Sequence, residues 1–266
     1  MNKLLMVVML LVPLYGYALD NRCNKMRGIS YCLQGVDTEG KCRAVHRLIL
    51  LTTDIWGNEA VDGIVDGTTI TFIQGTPAGL PCLTVKGKHW NIYLSRLNMM
   101  DFMNILFEAS HEFGHVYLGA NSSKPHHEAF CSGLSYLTLR HAERVWKRGA
   151  AWVGQDYAGG PKDEEKAKAG KEFWKKVDPY IQSQIVLFEK LTDLTAEQVM
   201  KLDLNTLDHD KASFYGFLLA RSCKTRPELM EKLGIKQRFP NATVVSKEKK
   251  AETARQMAEY LKTGGK

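Results

Sequence analysis

Residues 104–115 read NILFEASHEFGH, and this stretch decides the fold of the chain. Its apolar residues have the spacing of a helix, and its last five residues follow the pattern H-E-x-x-H. Residues four apart lie on one face of a helix, so the imidazoles of His111 and His115 can bind one metal ion. Glu112 lies near the same point and can take a proton from water. The stretch predicts a helix that carries a hydrolytic metal site.

A third protein ligand has to come from elsewhere, because a catalytic zinc usually has three protein ligands and one open position. A histidine six residues after His115 would complete a three-histidine pattern, but that position is Asn121. Glu128 stands thirteen residues after His115, early in the next apolar segment. An antiparallel helix there would bring its carboxylate to the metal and partly neutralise the dication. His126 and His127 are the alternative third ligands.

These residues resemble the gluzincin branch of the zincin metallopeptidases, over roughly residues 98–140. Several gluzincins carry Glu-Gly-x-Ala or Glu-Gly-x-Cys after the H-E-x-x-H motif, and the chain reads EAFC from Glu128, with Ala129 where glycine is common. The spacer before Glu128 is shorter than in thermolysin-like enzymes. The resemblance implies one Zn²⁺ ion, with Glu112 as general base. A downstream helix of several gluzincins offers a tyrosine to the oxyanion, which makes Tyr215 a second catalytic candidate.

Other polar residues are candidates for supporting roles around the metal. Metal-binding histidines usually donate their other ring N–H to a second group. Asp101, Glu108 and Asp208 are candidates for that role, and the sequence does not rank them. His209 either orients a ligand or substrate or is an exposed residue at the start of a helix.

The order of elements predicts an α+β fold. Residues 68–73 read as a strand, and residues 82–85 and 90–94 flank Lys86-Gly87-Lys88 as a hairpin. Helices are predicted at residues 99–119, 126–148, 162–191, 195–201, 210–222, 227–233 and 246–262. We therefore expect a zincin-like fold, in which a small N-terminal antiparallel sheet precedes the metal-binding helix and a mostly helical C-terminal half. The strand that ends near residues 94–95 is predicted to offer an edge to an extended peptide.

The start of the chain has the features of a secretory signal peptide. A basic start, an apolar run over residues 4–14 and small residues before a cleavage point at Ala18 fit this class. The run is shorter than the roughly 20 apolar residues of a membrane span. We expect a secreted or periplasmic protein with no stable membrane association after cleavage. A Gly-rich break near residues 149–161 then separates a zincin-like lobe with the metal site, residues 19–149, from a helical lobe, residues 150–266.

All six cysteines follow the predicted cleavage point. An even number of cysteines after a signal peptide favours disulfides. Cys131 and Cys223 lie in helix-like segments and are predicted to bond to each other. No C-x-x-C pair is present, which disfavours a cysteine-bound structural metal.

The formal net charge of +7 does not indicate a nucleic-acid partner. The lysine runs near residues 162–176 and 247–250 are interleaved with acidic residues, as on solvated helix faces. We expect a monomeric zinc peptidase that acts on a protein or peptide. The alternatives are a hydrolase of cell-wall peptide crosslinks and a non-catalytic secreted protein with a structural metal. Glu112 disfavours the last of these, because a structural site needs no base.

Overall fold

The computed structural model describes part of the chain. The described residues are 22–26, 29–36, 45, 69–76, 81–97, 99, 101–118, 124–147 and 172–235. The predicted signal peptide, the Gly-rich break and the predicted helix at residues 246–262 lie outside them. Within the described part, no helix is long and apolar enough to cross a membrane.

One five-stranded sheet forms the N-terminal part of the described fold. Its strands are β1 (Arg22–Met26), β2 (Ile29–Gln34), β3 (Thr69–Gln74), β4 (Cys82–Lys86) and β5 (His89–Leu94). The strand order is β1-β2-β3-β5-β4. Strands β1 and β4 run antiparallel to their neighbours, but β3 runs parallel to both β2 and β5.

The expected antiparallel sheet is therefore wrong, because the sheet is mixed. Residues 35–68 connect β2 to β3, and this length allows the crossover that parallel strands need. The predicted β4–β5 hairpin is confirmed, and it returns the chain to the side of β3. Gly87 begins its two-residue loop with a φ of 60°, a conformation that favours glycine.

The position of β5 corrects the expected peptide-binding edge. Strand β5 is hydrogen-bonded on both sides, to β3 and to β4, so it offers no edge. The edge strand on this side of the sheet is β4, where Thr84, Val85 and Lys86 are exposed. Both β4 and β5 contact the helix that carries the H-E-x-x-H motif.

The rest of the described chain is helical. The helices are α1 (Phe102–Leu118), α2 (Pro125–Lys147), α3 (Val177–Thr192), α4 (Ala196–Val199), α5 (His209–Leu219) and α6 (Arg226–Lys232). Helix α1 begins after Asp101, whose side chain accepts a hydrogen bond from the Asn104 N–H at 3.3 Å. Pro125 occupies the first turn of α2, where its missing N–H costs nothing. The α+β class, with a mostly helical second half, is confirmed.

Helix α2 packs between α1 and α5, and both crossings are very close. A Cβ atom on Gly114 of α1 would lie 2.7 Å from the Cys131 Sγ of α2. A Cβ atom on Gly216 of α5 would lie 1.8 Å from the carbonyl oxygen of Ala129. Only glycine permits these approaches, and they bring three helices together beside Glu128.

A buried carboxylate fixes the sheet to the helices. The Glu108 side chain of α1 accepts hydrogen bonds from the Ser95 N–H at 2.8 Å, from the Ser95 hydroxyl, and from the Asn104 amide at 2.6 Å. The Tyr180 hydroxyl of α3 donates to the Asn104 side-chain oxygen at 3.0 Å. The end of β5, helix α1 and helix α3 are thereby joined in one network.

The cysteines correct another expectation. Cys131 and Cys223 are both free thiols, so the predicted bond between them is wrong. Their side chains contact different elements. Cys131 faces α1, whereas the Cys223 Sγ lies 3.6 Å from the Leu219 carbonyl oxygen at the end of α5. Cys82 in β4 is also free, and Cys32 in β2 is disulfide-bonded.

Candidate metal centre

Three imidazoles from two helices meet at one carboxylate oxygen. The Oε2 atom of Glu128 lies 3.4 Å from the Nε2 of His111 and 3.7 Å from that of His115. The His209 Nε2 approaches the same oxygen from α5, at 3.2 Å. This oxygen is buried and has no well-formed hydrogen bond within the described part of the chain. A buried, unpaired acceptor surrounded by ring nitrogens is the arrangement that a bound cation would satisfy.

The distances from Glu128 to the two α1 histidines are close to the spacing of ligand atoms on a tetrahedral metal ion. Metal–ligand bonds of 2.0–2.2 Å place two tetrahedral ligand atoms about 3.3–3.6 Å apart. The separations of 3.4 and 3.7 Å between Glu128 and the two α1 histidines are close to this range. Two donor groups that could hold a metal ion occur among the described residues. One is His111 with Glu128 and His209, and the other is His111 with His115 and Cys131.

The charges of the ligand groups suit cation binding. Burial, together with the nearby His111, lowers the pKa of His115 to about 4, so its imidazole is neutral as a ligand must be. Burial raises the pKa of Glu128, but the imidazoles of His111 and His209 outweigh it and leave the pKa below its usual range. Glu128 is therefore a carboxylate at neutral pH.

Glu112 lies on the same helix with a different electrostatic character. Its side chain is buried, and burial raises its pKa, with further increases from the Glu128 and Glu108 carboxylates. A carboxylate whose pKa is shifted toward neutrality is suited to act as a general base. The charge of Glu112 also raises the pKa of Cys82, after a larger effect of burial, so the β4 edge lies within the field of this carboxylate.

Ser132 supports the His111 ring. Its Oγ lies 3.2 Å from the His111 Nδ1, which leaves the Nε2 facing Glu128. The sequence did not single out this serine, although it stands one helical turn after Glu128 and so on the same face of α2. In the described part of the chain, none of the three acidic residues proposed for this role hydrogen-bonds to a ligand histidine. Glu108 joins β5 to α1, and Asp101 and Asp208 cap α1 and α5.

The alternative third ligands lie elsewhere. The His126 ring contacts the Leu233 carbonyl oxygen at 2.7 Å and the Asn205 side-chain oxygen at 3.0 Å, so it joins α2 to the C-terminal end of α6. The His127 Nδ1 is buried and has no hydrogen bond in the described part of the chain. Among residues 126–128, Glu128 is the one whose side chain the structure places against His111 and His115.

Two residues of α5 have different positions relative to the centre. His209 is held by Asp210, whose carboxylate lies 2.9 Å from the His209 Nδ1. The neighbouring Glu128 carboxylate, and after it that of Asp210, raise the pKa of His209 to about 9 against the opposing effect of burial. Tyr215 stands six residues later, on another face of α5, and is partly buried against the core. Its catalytic role stays a prediction, whereas His209 contacts the centre directly.

Comparisons with known proteins give no further guide to this centre. No protein-family model matches the chain, and no curated protein is significantly similar to it in sequence.

Proposed function

We propose that the chain is a zinc-dependent peptidase of the gluzincin type, secreted or periplasmic, with a zincin-like arrangement of sheet edge and metal helix. One observation carries the proposal. The buried, unpaired Glu128 oxygen faces the two histidines of an H-E-x-x-H helix, and the glutamate of that motif is itself buried. His111, His115 and Glu128 would hold the ion.

Glu112 performs the proton transfers in this proposal. When bound, zinc supplies Lewis acidity to the scissile carbonyl and to the attacking water. Glu112 takes the proton of that water and passes it to the leaving amine. Its raised pKa suits the first of these transfers, because burial makes the carboxylate a stronger base.

His209 stabilises the oxyanion that forms on the substrate. Its side chain is 63% exposed, whereas those of His111 and His115 are 15% and 19% exposed. An exposed imidazole faces the substrate side of the centre. Its contact with Asp210 fixes the ring, and its raised pKa keeps it a hydrogen-bond donor.

The substrate lies extended along β4. This edge strand contacts α1 and has exposed residues over Thr84–Lys86. Among the described strands, β4 pairs on one side only, and such an edge offers main-chain hydrogen bonds to a peptide, independent of its sequence. Because β4 contacts the helix that carries Glu112, a peptide placed there runs beside that helix.

The test is peptide-library cleavage by the mature protein beside its Glu112→Gln variant. We expect the variant to bind zinc normally and to lose roughly 10²- to 10⁴-fold in turnover. Glu197→Gln, which changes an exposed acid on α4, is the matched control and should leave turnover unchanged. Near-normal cleavage by Glu112→Gln would remove the mechanism. A zinc-loaded wild type that cleaves nothing, and unfolds on chelation, would favour a structural metal.

A further inference from the structure

Cys131 places a free and fully buried thiol beside the two histidines of the motif. Its Sγ and one ring nitrogen each of His111 and His115 all lie within 4.8 Å of one another. The three groups form a His₂Cys donor set that the peptidase mechanism does not use.

The position of the thiol follows from the crossing of α1 and α2. Cys131 stands three residues after Glu128, so both side chains project from neighbouring positions on α2. The Sγ lies where a side chain at position 114 would begin, only 2.7 Å from a Cβ built on Gly114. Gly114 lies between His111 and His115 in the motif. Because Gly114 has no side chain, the Cys131 thiol can lie next to the rings of both His111 and His115.

The centre therefore has two overlapping donor sets. The carboxylate set is the one proposed for the peptidase, His111, His115 and Glu128, and the Glu128 Oε2 is buried without a hydrogen bond in the described part of the chain. The thiol set replaces Glu128 by Cys131. Thiolate ligands select soft ions, whereas carboxylates suit harder ones, and trigonal His₂Cys sites are known for copper. Two sets of different softness within one cluster give the centre a means of binding ions of different classes.

We propose that Cys131 is the ligand through which this centre binds thiophilic metal ions, in the set His111, His115 and Cys131. The thiol releases its proton to solvent, and the sulfur lone pair forms the bond to the ion. This inference rests on the proposed metal centre and adds to it a second class of ion and a ligand for that class.

Cd²⁺ is the probe, because it is thiophilic and does not change its oxidation state. X-ray absorption at the cadmium edge of the loaded wild-type protein should show one sulfur ligand together with nitrogen ligands. Cys131→Ser should lose the sulfur signal and the ultraviolet thiolate-to-cadmium band. Its cadmium affinity should fall by more than the roughly 10- to 100-fold that loss of an outer-shell partner costs. Cys82→Ser and Cys223→Ser change the other free thiols among the described residues and should retain both signals.

The outcomes separate this inference from the proposed function. Cadmium bound with nitrogen and oxygen ligands alone, or zinc binding without any cadmium binding, would overturn the role of Cys131 and leave the zinc centre standing. A wild type that binds neither ion would overturn both. Where Cys131→Ser does not fold, a wild-type spectrum without sulfur still overturns the inference, and loss of the sulfur signal in Cys82→Ser or Cys223→Ser would assign the ligand to another cysteine.

Discussion

His209 differs from the other imidazoles at the centre in its exposure and in its helix. The rings of His111 and His115 belong to one helix and lie mostly buried, whereas His209 belongs to α5 and is largely exposed. Metal ligands are usually held by buried surroundings, while a group that meets the substrate has to be reachable. In the proposal, this difference in exposure makes His111 and His115 metal ligands and His209 a group that meets the substrate.

Replacement of His209 tests that separation. We expect His209→Gln to retain the metal and to lose about 10²- to 10³-fold in kcat, the usual cost of one oxyanion donor. Metal content and steady-state kinetics measured on the same sample check it. His126→Gln is the matched control, because its ring contacts Leu233 and Asn205 instead of the centre. Loss of the metal from His209→Gln would make His209 a ligand and contradict its role as a donor.

At the scale of the elements, two glycines set the distances among three helices. Gly114 lets α1 approach α2, and Gly216 lets α5 approach α2 at Ala129, one residue after Glu128. The second approach carries His209 to the Glu128 oxygen. Helix packing thus determines the geometry of the centre more than any local feature of the H-E-x-x-H motif does.

Gly216→Ala should destabilise the protein and weaken the centre together. Alanine usually stabilises a helix by about 1 kcal/mol over glycine. Here its Cβ would meet backbone atoms of Ala129 at 1.8–2.4 Å, and overpacking of this kind costs about 1–3 kcal/mol. Urea denaturation should show a net loss of stability, and zinc affinity should fall. Gln182→Ala, on the exposed face of α3, is the control and should change stability by less than about 0.5 kcal/mol. A stabilised Gly216→Ala with unchanged zinc affinity would contradict the close crossing.

The hydrogen-bond network around Glu108 also holds elements together, because it joins the end of β5 to α1 and α3. Glu108→Ala leaves the Ser95 N–H and the Asn104 amide without their acceptor, at a cost of about 1–3 kcal/mol for each buried unsatisfied group. Tyr180→Phe removes one hydrogen bond and should cost only about 0.5–1.5 kcal/mol. Thermal or urea unfolding of both variants checks the order. Equal losses would contradict the central position of Glu108 in the network.

At the scale of the molecule, local patterns predicted several of the elements, and long-range contacts decided how they meet. Helices α1 and α2 were predicted to within about three residues from their apolar spacing. Strands β1 and β2 were not predicted. The β4–β5 hairpin was predicted from Lys86-Gly87-Lys88. The parallel pairing of β3 with β2 was not predicted, because no local sequence pattern indicates a pairing across a 34-residue connection.

The candidate site divides in the same way. The spacing of one helical repeat was enough to predict that His111, Glu112 and His115 lie together. The short turn between the two helices was enough to predict that Glu128 joins them. His209 reaches Glu128 because α5 crosses α2 where Gly216 meets Ala129. The sequence of α5 alone does not predict this crossing. The prediction of a Cys131–Cys223 disulfide failed for a similar reason. The contacts between helices decide which thiols can meet, and the sequence does not predict those contacts.

Removal of the metal should leave the whole fold in place. The described core runs from the sheet through α6 and consists of apolar side chains other than His111, His115 and Glu128. We expect chelated protein to keep its far-ultraviolet circular dichroism and to melt at a lower temperature, because an ion at 100 times its Kd stabilises by about 2.7 kcal/mol. Added zinc should restore the melting temperature and the peptidase activity. Loss of secondary structure on chelation would contradict a catalytic, as opposed to structural, centre.

The metal content of the purified protein tests the central claim most directly. Inductively coupled plasma mass spectrometry should find about one zinc ion per wild-type chain. His115→Ala and Glu128→Ala should each bind far less, while His126→Gln should bind as the wild type does. A wild-type chain that binds no metal after zinc loading and dialysis, or variants that bind as much as the wild type, would contradict the account.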